Sequence, residues 1–411
     1  MTASAPVHAI DPPAAPARVR PFAKTQAATP AWKRRLLGRP LAPSRQEYHA
    51  VVGALSEGDR EMDALVAWMY DYGLGEARAL FEQALNNGLD SLEAPPEPLR
   101  RFFAGVEQAP AWLDPALLEQ GARFIHGTGR AAHFVLRDLA LMGGYLLSGF
   151  NQSLVMTGAL SKGTARRVAE TGQWWIDCTE PGGLTRFGPG FRSSLHVRLV
   201  HALVRRNLAA RSEWNSDTWG LPLSQIDMAA TYLGFSVVML GGLRMLGIPI
   251  SGGESRAVMH LWSYACWLMG VDSRWLRFSE REGMVLLHHT LMTQSRPDWT
   301  SRELGQALAE EPMARHYRVL RSVRRRYARH VHLSVTRYFI GREKMGQLGL
   351  SQRVLPWYPL AGLVPRLIGY GVPRFVPGLR GWQQRRGRRA QLATLASMFG
   401  DQERGLTKGD G

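Results

Sequence analysis

Apolar positions recur at helical spacing along most of the chain, and no stretch keeps the alternation of a half-buried strand, so the pattern predicts an all-α protein. From Tyr48 to Phe103 the stripe includes Leu65, Trp68, Met69 and Tyr72, and the run Ala79–Leu85 is ended by Asn86-Asn87-Gly88. Asp114 caps a further helix that has Pro115 at its first position. Leu136–Leu160 reads as a buried core helix, because Arg137, Asp138 and Gly143-Gly144 interrupt a run otherwise long enough to span a membrane. Ser224 starts a helix with Asp227 as its capping carboxylate, and Met228–Leu243 is core that stops at Arg244, short of a span. Helices are also expected over Gly253–Met269, Glu280–Ser295, Ser301–Ala309 and Met313–Phe339.

Two segments break the plain packing pattern. In Thr164–Cys178 a helix places Arg167, Glu170, Thr171, Trp174 and Cys178 on one face, mixing charge with indole. In Ser194–Leu208 a helix sets His201 on a stripe with Val197, Val204 and Leu208, which aims an imidazole into apolar packing. The two ends of the chain look different. Residues 1–45, rich in Ala and Pro without periodicity, read as a disordered leader. Residues 346–411 read as a Pro/Arg-rich extension, whose prolines between Leu355 and Leu379 exclude ordinary helix over most of that stretch. Its Trp, Leu and Arg residues suit a lipid surface, a hydrophobic substrate or the protein's own core.

Composition adds three constraints. The 411 residues, 45% of them apolar, can build one large helical domain between the two ends, over residues 46–345. The excess of 51 Lys+Arg over 34 Asp+Glu gives +17, but it gathers in Arg321–Arg329 and Arg380–Arg389 without a groove-reading motif, which argues against specific nucleic-acid readout. Two cysteines, Cys178 and Cys266, exclude a disulfide framework and multi-thiolate zinc. Arg34-Arg35 lacks the apolar run of a twin-arginine export signal, so a cytoplasmic location is expected, with membrane association through the tail left open.

Standard catalytic signatures are missing: there is no Gly-x-Ser-x-Gly elbow, Walker loop, dinucleotide fingerprint or His-Glu-x-x-His. His288 and His289 are helix neighbours that point about 100° apart and do not chelate one metal from one face. What remains is His201 in apolar surroundings beside a polar helix, the parts a haem site needs. A lone histidine on an apolar helix is more often a satisfied core residue, so on pattern alone both readings stand.

Three motifs carry a resemblance. Arg167-Val-Ala-Glu-Thr171, Arg198-Leu-Val-His201 and Trp219-Gly-Leu-Pro-Leu-Ser-Gln-Ile-Asp227 resemble the family that joins the latex clearing proteins to the MpaB-type oxygenases, over about Asp63 to Phe339. The resemblance implies a globin-like helical core with additional helices, a b-type haem, and O2-dependent cleavage of a carbon–carbon double bond in an isoprenoid chain. His201 matches the proximal iron ligand, and Arg167 and Thr171 match the distal arginine and threonine. Where latex clearing proteins have a lysine between those two, this chain has Glu170, a carboxylate able to act as general base or to pair with Arg167. Those proteins also use a glutamate from the preceding helix, and no carboxylate stands between Leu139 and Lys162 here.

The expectation is a haem b-dependent, dioxygenase-type enzyme acting on a hydrophobic isoprenoid or other unsaturated substrate. His201 binds iron, and Arg167, Glu170 and Thr171 form the catalytic side. Trp174 and Trp175 line a channel or belong to the core, and Arg198 and Arg205 reach propionates or form ion pairs. Without an export signal, a smaller isoprenoid or lipid fits better than polymeric rubber. Two alternatives remain: a haem sensor or carrier without turnover, and a haem-free helical protein on a membrane surface.

Overall fold

A computed structural model describes residues 15–158 and 163–400, and among these every regular element is helical, with no strand. The N-terminal half contains α1 (Ala31–Leu37), α2 (Arg45–Gly53), α3 (Arg60–Tyr72), α4 (Leu74–Asn87), α5 (Glu97–Glu107) and α6 (Pro115–Thr128). Then come α7 (residues 130–144), α8 (Ser148–Met156), α9 (Thr164–Cys178) and α10 (Pro189–Ala209). The remainder is α11 (Gln225–Met245), α12 (Gly252–Leu268), α13 (Glu280–Leu291), α14 (Trp299–Glu310), α15 (Arg321–Gln347), α16 (Trp357–Ala361), α17 (Leu363–Gly371) and α18 (Leu379–Phe399). The expected caps are present: Asp114 accepts from Ala116 and Leu117 ahead of α6, and Ser224 accepts from the Asp227 amide ahead of α11.

The core is organised on α12, which is apolar on all sides and buries Val258, Leu261, Trp262, Ala265 and Leu268. It lies against α6 at a close crossing. A Cβ added at Gly121 would stand 2.6 Å from the Ala257 carbonyl oxygen, so only glycine lets the backbones approach there. The apolar helix α11 spans 21 residues: it begins after Ser224 as expected and runs two residues past Leu243, to Met245. It alone among the described helices is long and apolar enough to cross a membrane, and 67% of its apolar window is buried inside the fold.

Two wide turns interrupt the central helices. The π-helical stretch Leu136–Leu141 in α7 faces a second, Gly234–Val238 in α11, where Gly234 lies beside the Ala140 methyl. The expected continuous helix Leu136–Leu160 is thus α7 followed, after a break at Tyr145–Leu147, by α8; residues 159–160 lie outside the described residues. Arg137 and Asp138 are buried in an ionic cluster. Arg137 reaches Glu311 (2.9 Å) and Asp138 (2.5 Å), Arg315 reaches Glu311 (2.8 Å), and His332 Nδ1 lies 2.7 Å from Asp138. This cluster draws residues 311–315 inward, and Leu320 adopts a left-handed conformation (φ 51), so the helix expected from Met313 begins at Arg321.

Both chain ends correct the sequence reading. Of the expected disordered leader, residues 15–45 are part of the fold: the Ala17 amide donates to the Asp217 carbonyl, and buried Arg18 forms a 2.7 Å ion pair with Asp227. Residues 1–14 lie outside the described residues. In the C-terminal stretch the prolines do not exclude helix, because Pro356 precedes α16 while Pro359 and Pro365 occupy first-turn positions, whose N–H has no intrahelical partner. Then α18 docks on α6 and α9, with Gln391 donating to the Ile125 carbonyl and Leu395 and Phe399 buried.

Candidate functional site

The helices α9 and α10 pack together, joined by a tight loop through Gly183, Gly188 and Gly190, where added Cβ atoms would meet backbone. Across the pair, Trp174 Nε1 donates to Ser194 Oγ at 2.9 Å, and Cys178 Sγ lies 3.6 Å from the same hydroxyl. Arg167 is two turns before Trp174 and His201 two turns after Ser194. With the helices antiparallel, both steps of roughly 10 Å run the same way along the pair. Arg167 and His201 therefore come to one level.

At that level the polar groups are incompletely satisfied. His201 is half-buried between Val197 and Val204, and its Nδ1 is buried with no partner among the described residues. Burial first, then the nearby Arg205 guanidinium, pushes its pKa down to about 4, so the imidazole is neutral at physiological pH, the form that ligates a metal. Arg205, one turn further on, is held by Asp63 at 3.1 Å, yet its Nε and Nη2 are buried without partners. Arg167 donates from Nη2 to Tyr145 Oη at 2.6 Å, while its Nη1 is likewise orphaned. Unsatisfied buried donors cost about 1–3 kcal/mol each, so such a cluster marks a place where another group completes the contacts.

The other expected residues separate. Glu170 pairs with Arg166 at 2.8 Å, one turn before it, and not with Arg167. Thr171 is exposed and its hydroxyl donates back to the Arg167 carbonyl at 3.0 Å. Trp174 is core, packed between Phe235 (5.1 Å) and Trp262 (5.5 Å). Trp175 is buried with an unpartnered Nε1. Arg198 is committed to a buried bidentate pair with Asp59 (2.5 and 2.8 Å), the structural alternative foreseen for it. The Asp227 carboxylate accepts from Arg18, Gln294 and the Ser224 hydroxyl instead of the Ser224 backbone N–H, so the capping box expected of it does not form and Ser224 alone caps α11.

Three groups were not singled out by sequence. Tyr145 follows the Gly143-Gly144 pair that marked only a helix break, and burial raises its pKa, keeping the phenol protonated beside Arg167. Asp59 and Asp63 lie far from α10 in the chain and show no pattern linking them to it. A hollow of about 390 Å³ lined by Arg39, Trp275, Arg277, Arg281 and His289 contains none of these site residues. No cluster of three or more His, Cys, Asp or Glu that could hold a metal ion occurs among the described residues.

The neutral His201 has a testable consequence. Its pKa in the fold lies below the ordinary histidine value of about 6.5, so it contributes stability fully present above that value and lost as pH falls toward about 4. In cofactor-free protein, denaturant titrations at neutral and mildly acidic pH are expected to show a larger loss of stability for the parent than for His201→Leu. Parallel losses would contradict a desolvated, neutral imidazole.

Residues 128–368 match the family described as ER-bound oxygenase mpaB/B′/rubber oxygenase, catalytic domain. The chain is 26% identical over 253 residues to the rubber oxygenase of Streptomyces sp. (strain K30), covering 59% of this chain and 61% of that protein's length. A solved structure of latex clearing protein in the closed state superposes with a TM-score of 0.60 at 21% identity, covering 82% of this chain and 91% of that one. That likeness establishes a shared all-α fold.

Proposed function

The chain belongs to the family of the mpaB/B′ and rubber oxygenase catalytic domains, and on that premise we propose that it is a haem b-dependent oxygenase that cleaves a carbon–carbon double bond in a hydrophobic, isoprenoid-like substrate. The observation that carries the reading is His201: neutral, set among valines, with an orphaned ring nitrogen and level with the orphaned Arg167 donor. The donor set fits the group. His201 would hold the iron, and the free Nε and Nη2 of Arg205, one turn away, suit a peripheral carboxylate. Bound haem would supply the site at which O2 is activated.

The chain's own residues would then set the chemistry. Val197, Val204 and Leu208 keep water from the imidazole and suit an apolar substrate. Arg167, oriented by Tyr145, presents a fixed cationic donor. Glu170 stands where latex clearing proteins have lysine, and its carboxylate, oriented by Arg166, would take a proton from an allylic carbon and return it before the products leave, since the net cleavage releases none. The overall reaction balances when both atoms of O2 end as the two carbonyl oxygens of the cleaved chain.

The test is O2 uptake by haem-loaded protein with linear prenyl substrates of increasing length, with carbonyl products identified by mass. Glu170→Gln is expected to lower kcat by about 10²–10⁴-fold, the usual effect of losing a positioned base. An unchanged kcat would leave Glu170 a structural, ion-pairing residue. Haem binding without O2 uptake on any of these substrates would favour the sensor or carrier.

A further inference from the structure

We propose that the face built on α16, α17 and the start of α18 is a docking surface for an anionic phospholipid membrane. The argument starts with α17, whose amphipathic order is the reverse of an ordinary surface helix. Its polar side chains turn inward: Arg366 donates to the Leu246 and Pro359 carbonyls, and Tyr370 donates to the Thr128 carbonyl at 2.8 Å. Its apolar side chains turn outward, with Leu363, Val364, Leu367 and Ile368 all exposed and no residue of the helix buried. The spacing i, i+1, i+4, i+5 makes these four one stripe. The polar residues are spent on attachment to the body, and apart from Leu363, which lies over Gly247, the apolar stripe is left facing outward from the described residues.

The surrounding surface continues the pattern. Val372, Phe375 and Val376 extend it, Phe375 at 85% exposure, and Trp357 and Trp382 flank it at the positions that suit the boundary between headgroups and acyl chains. Scattered exposed apolar residues are normal on a protein, but a sustained run of this kind marks a contact surface.

Charge selects the partner. Residues 345–400 contain eight arginines and no carboxylate. Arg374 and Arg380 both converge on Glu254, which balances only one of them. Arg385 and Arg386 are exposed, the latter with its guanidinium 5.1 Å from the Trp382 ring. A second copy of the chain meeting this face about a twofold axis would bring arginine against arginine. A bilayer carrying acidic headgroups instead offers apolar depth and the opposite charge together, and each arginine near such a surface contributes about 1 kcal/mol, roughly fivefold in partitioning. This surface stands on its own geometry and does not depend on the chemistry proposed for His201.

The full chain should float with vesicles of phosphatidylcholine mixed with phosphatidylglycerol, and far less with phosphatidylcholine alone, and the bound fraction should fall as salt rises. Ile368→Glu with Phe375→Glu, two exposed positions whose replacement leaves the core intact, should lower the bound fraction at least tenfold with unchanged circular dichroism. Arg385→Gln with Arg386→Gln should lower binding several-fold and flatten the salt dependence. No flotation, equal flotation on both vesicles, or flotation unaffected by the apolar pair would overturn the proposal. So would a parent dimer that the apolar pair converts to monomer, which would assign the face to self-association.

Discussion

His201→Ala protein, purified from cells supplied with haem, is expected to lack the Soret absorbance expected of the parent. The expectation rests on one residue because the proposed haem site has a single protein ligand, His201, whose buried Nδ1 has no partner among the described residues. Alanine removes the imidazole and leaves the stripe of Val197, Val204 and Leu208 intact, so the fold should persist, with a helical circular dichroism spectrum equal to the parent's. Exogenous imidazole should restore part of the absorbance, which a merely destabilised variant would not show. An unchanged spectrum in His201→Ala would remove the ligand assignment and, with it, the geometry proposed for catalysis.

The largest effect on stability is expected from Glu311→Ala. Glu311 is buried between two guanidinium groups, accepting from Arg137 at 2.9 Å and from Arg315 at 2.8 and 2.9 Å. Burial opposes its ionisation, but Arg137 and Arg315 outweigh burial and hold its pKa at about 2. Removing the carboxylate leaves two cations buried with less than their charge compensated, since Asp138 balances only part of Arg137. Breaking a buried pair in this way costs about 3–5 kcal/mol, which should appear as a lower denaturation midpoint with an unchanged slope. Replacing Arg137, Glu311 and Arg315 together by apolar residues of similar volume should recover most of the loss. If Glu311→Ala lowers the midpoint no more than a surface substitution does, the cluster is better solvated than its burial indicates.

Much of the fold could be read from the sequence because its helices are marked locally. Asp114-Pro115, Ser224 and Asn86-Asn87-Gly88 place helix ends by their own chemistry, whatever packs on them. What failed depended on distant partners. Nothing near Arg18 indicates Asp227, so an Ala/Pro-rich stretch read as disorder while its residues 15–45 join the fold. The tail misled for a different reason: proline forbids helix only where its missing N–H is needed, and the spacing of Pro356, Pro359 and Pro365 lets two short helices begin at them.

The site was legible to a similar limit. One face was predicted for Arg167, Glu170, Thr171, Trp174 and Cys178, and that face exists, but contacts within the helix and to other elements divide it. Trp174 and Cys178 are drawn to Ser194, Glu170 to Arg166, and Arg167 to a tyrosine outside the motif. Periodicity fixes direction around a helix, whereas the partners of Trp174, Cys178 and Arg167 are chosen by the neighbouring elements. Asp59 and Asp63 show the same limit, since each answers an arginine of α10 from across more than a hundred residues of chain.

The ion pair of Arg18 with Asp227 spans 209 residues, and it imposes an order on synthesis. At about 5–20 residues per second, a ribosome needs roughly 10–40 s after making Arg18 before Asp227 exists. Throughout that interval Arg18 lacks its carboxylate partner and stays solvated. The segment around Arg18 is thus fixed in place only after Asp227 emerges, and it closes over a body that was translated after it.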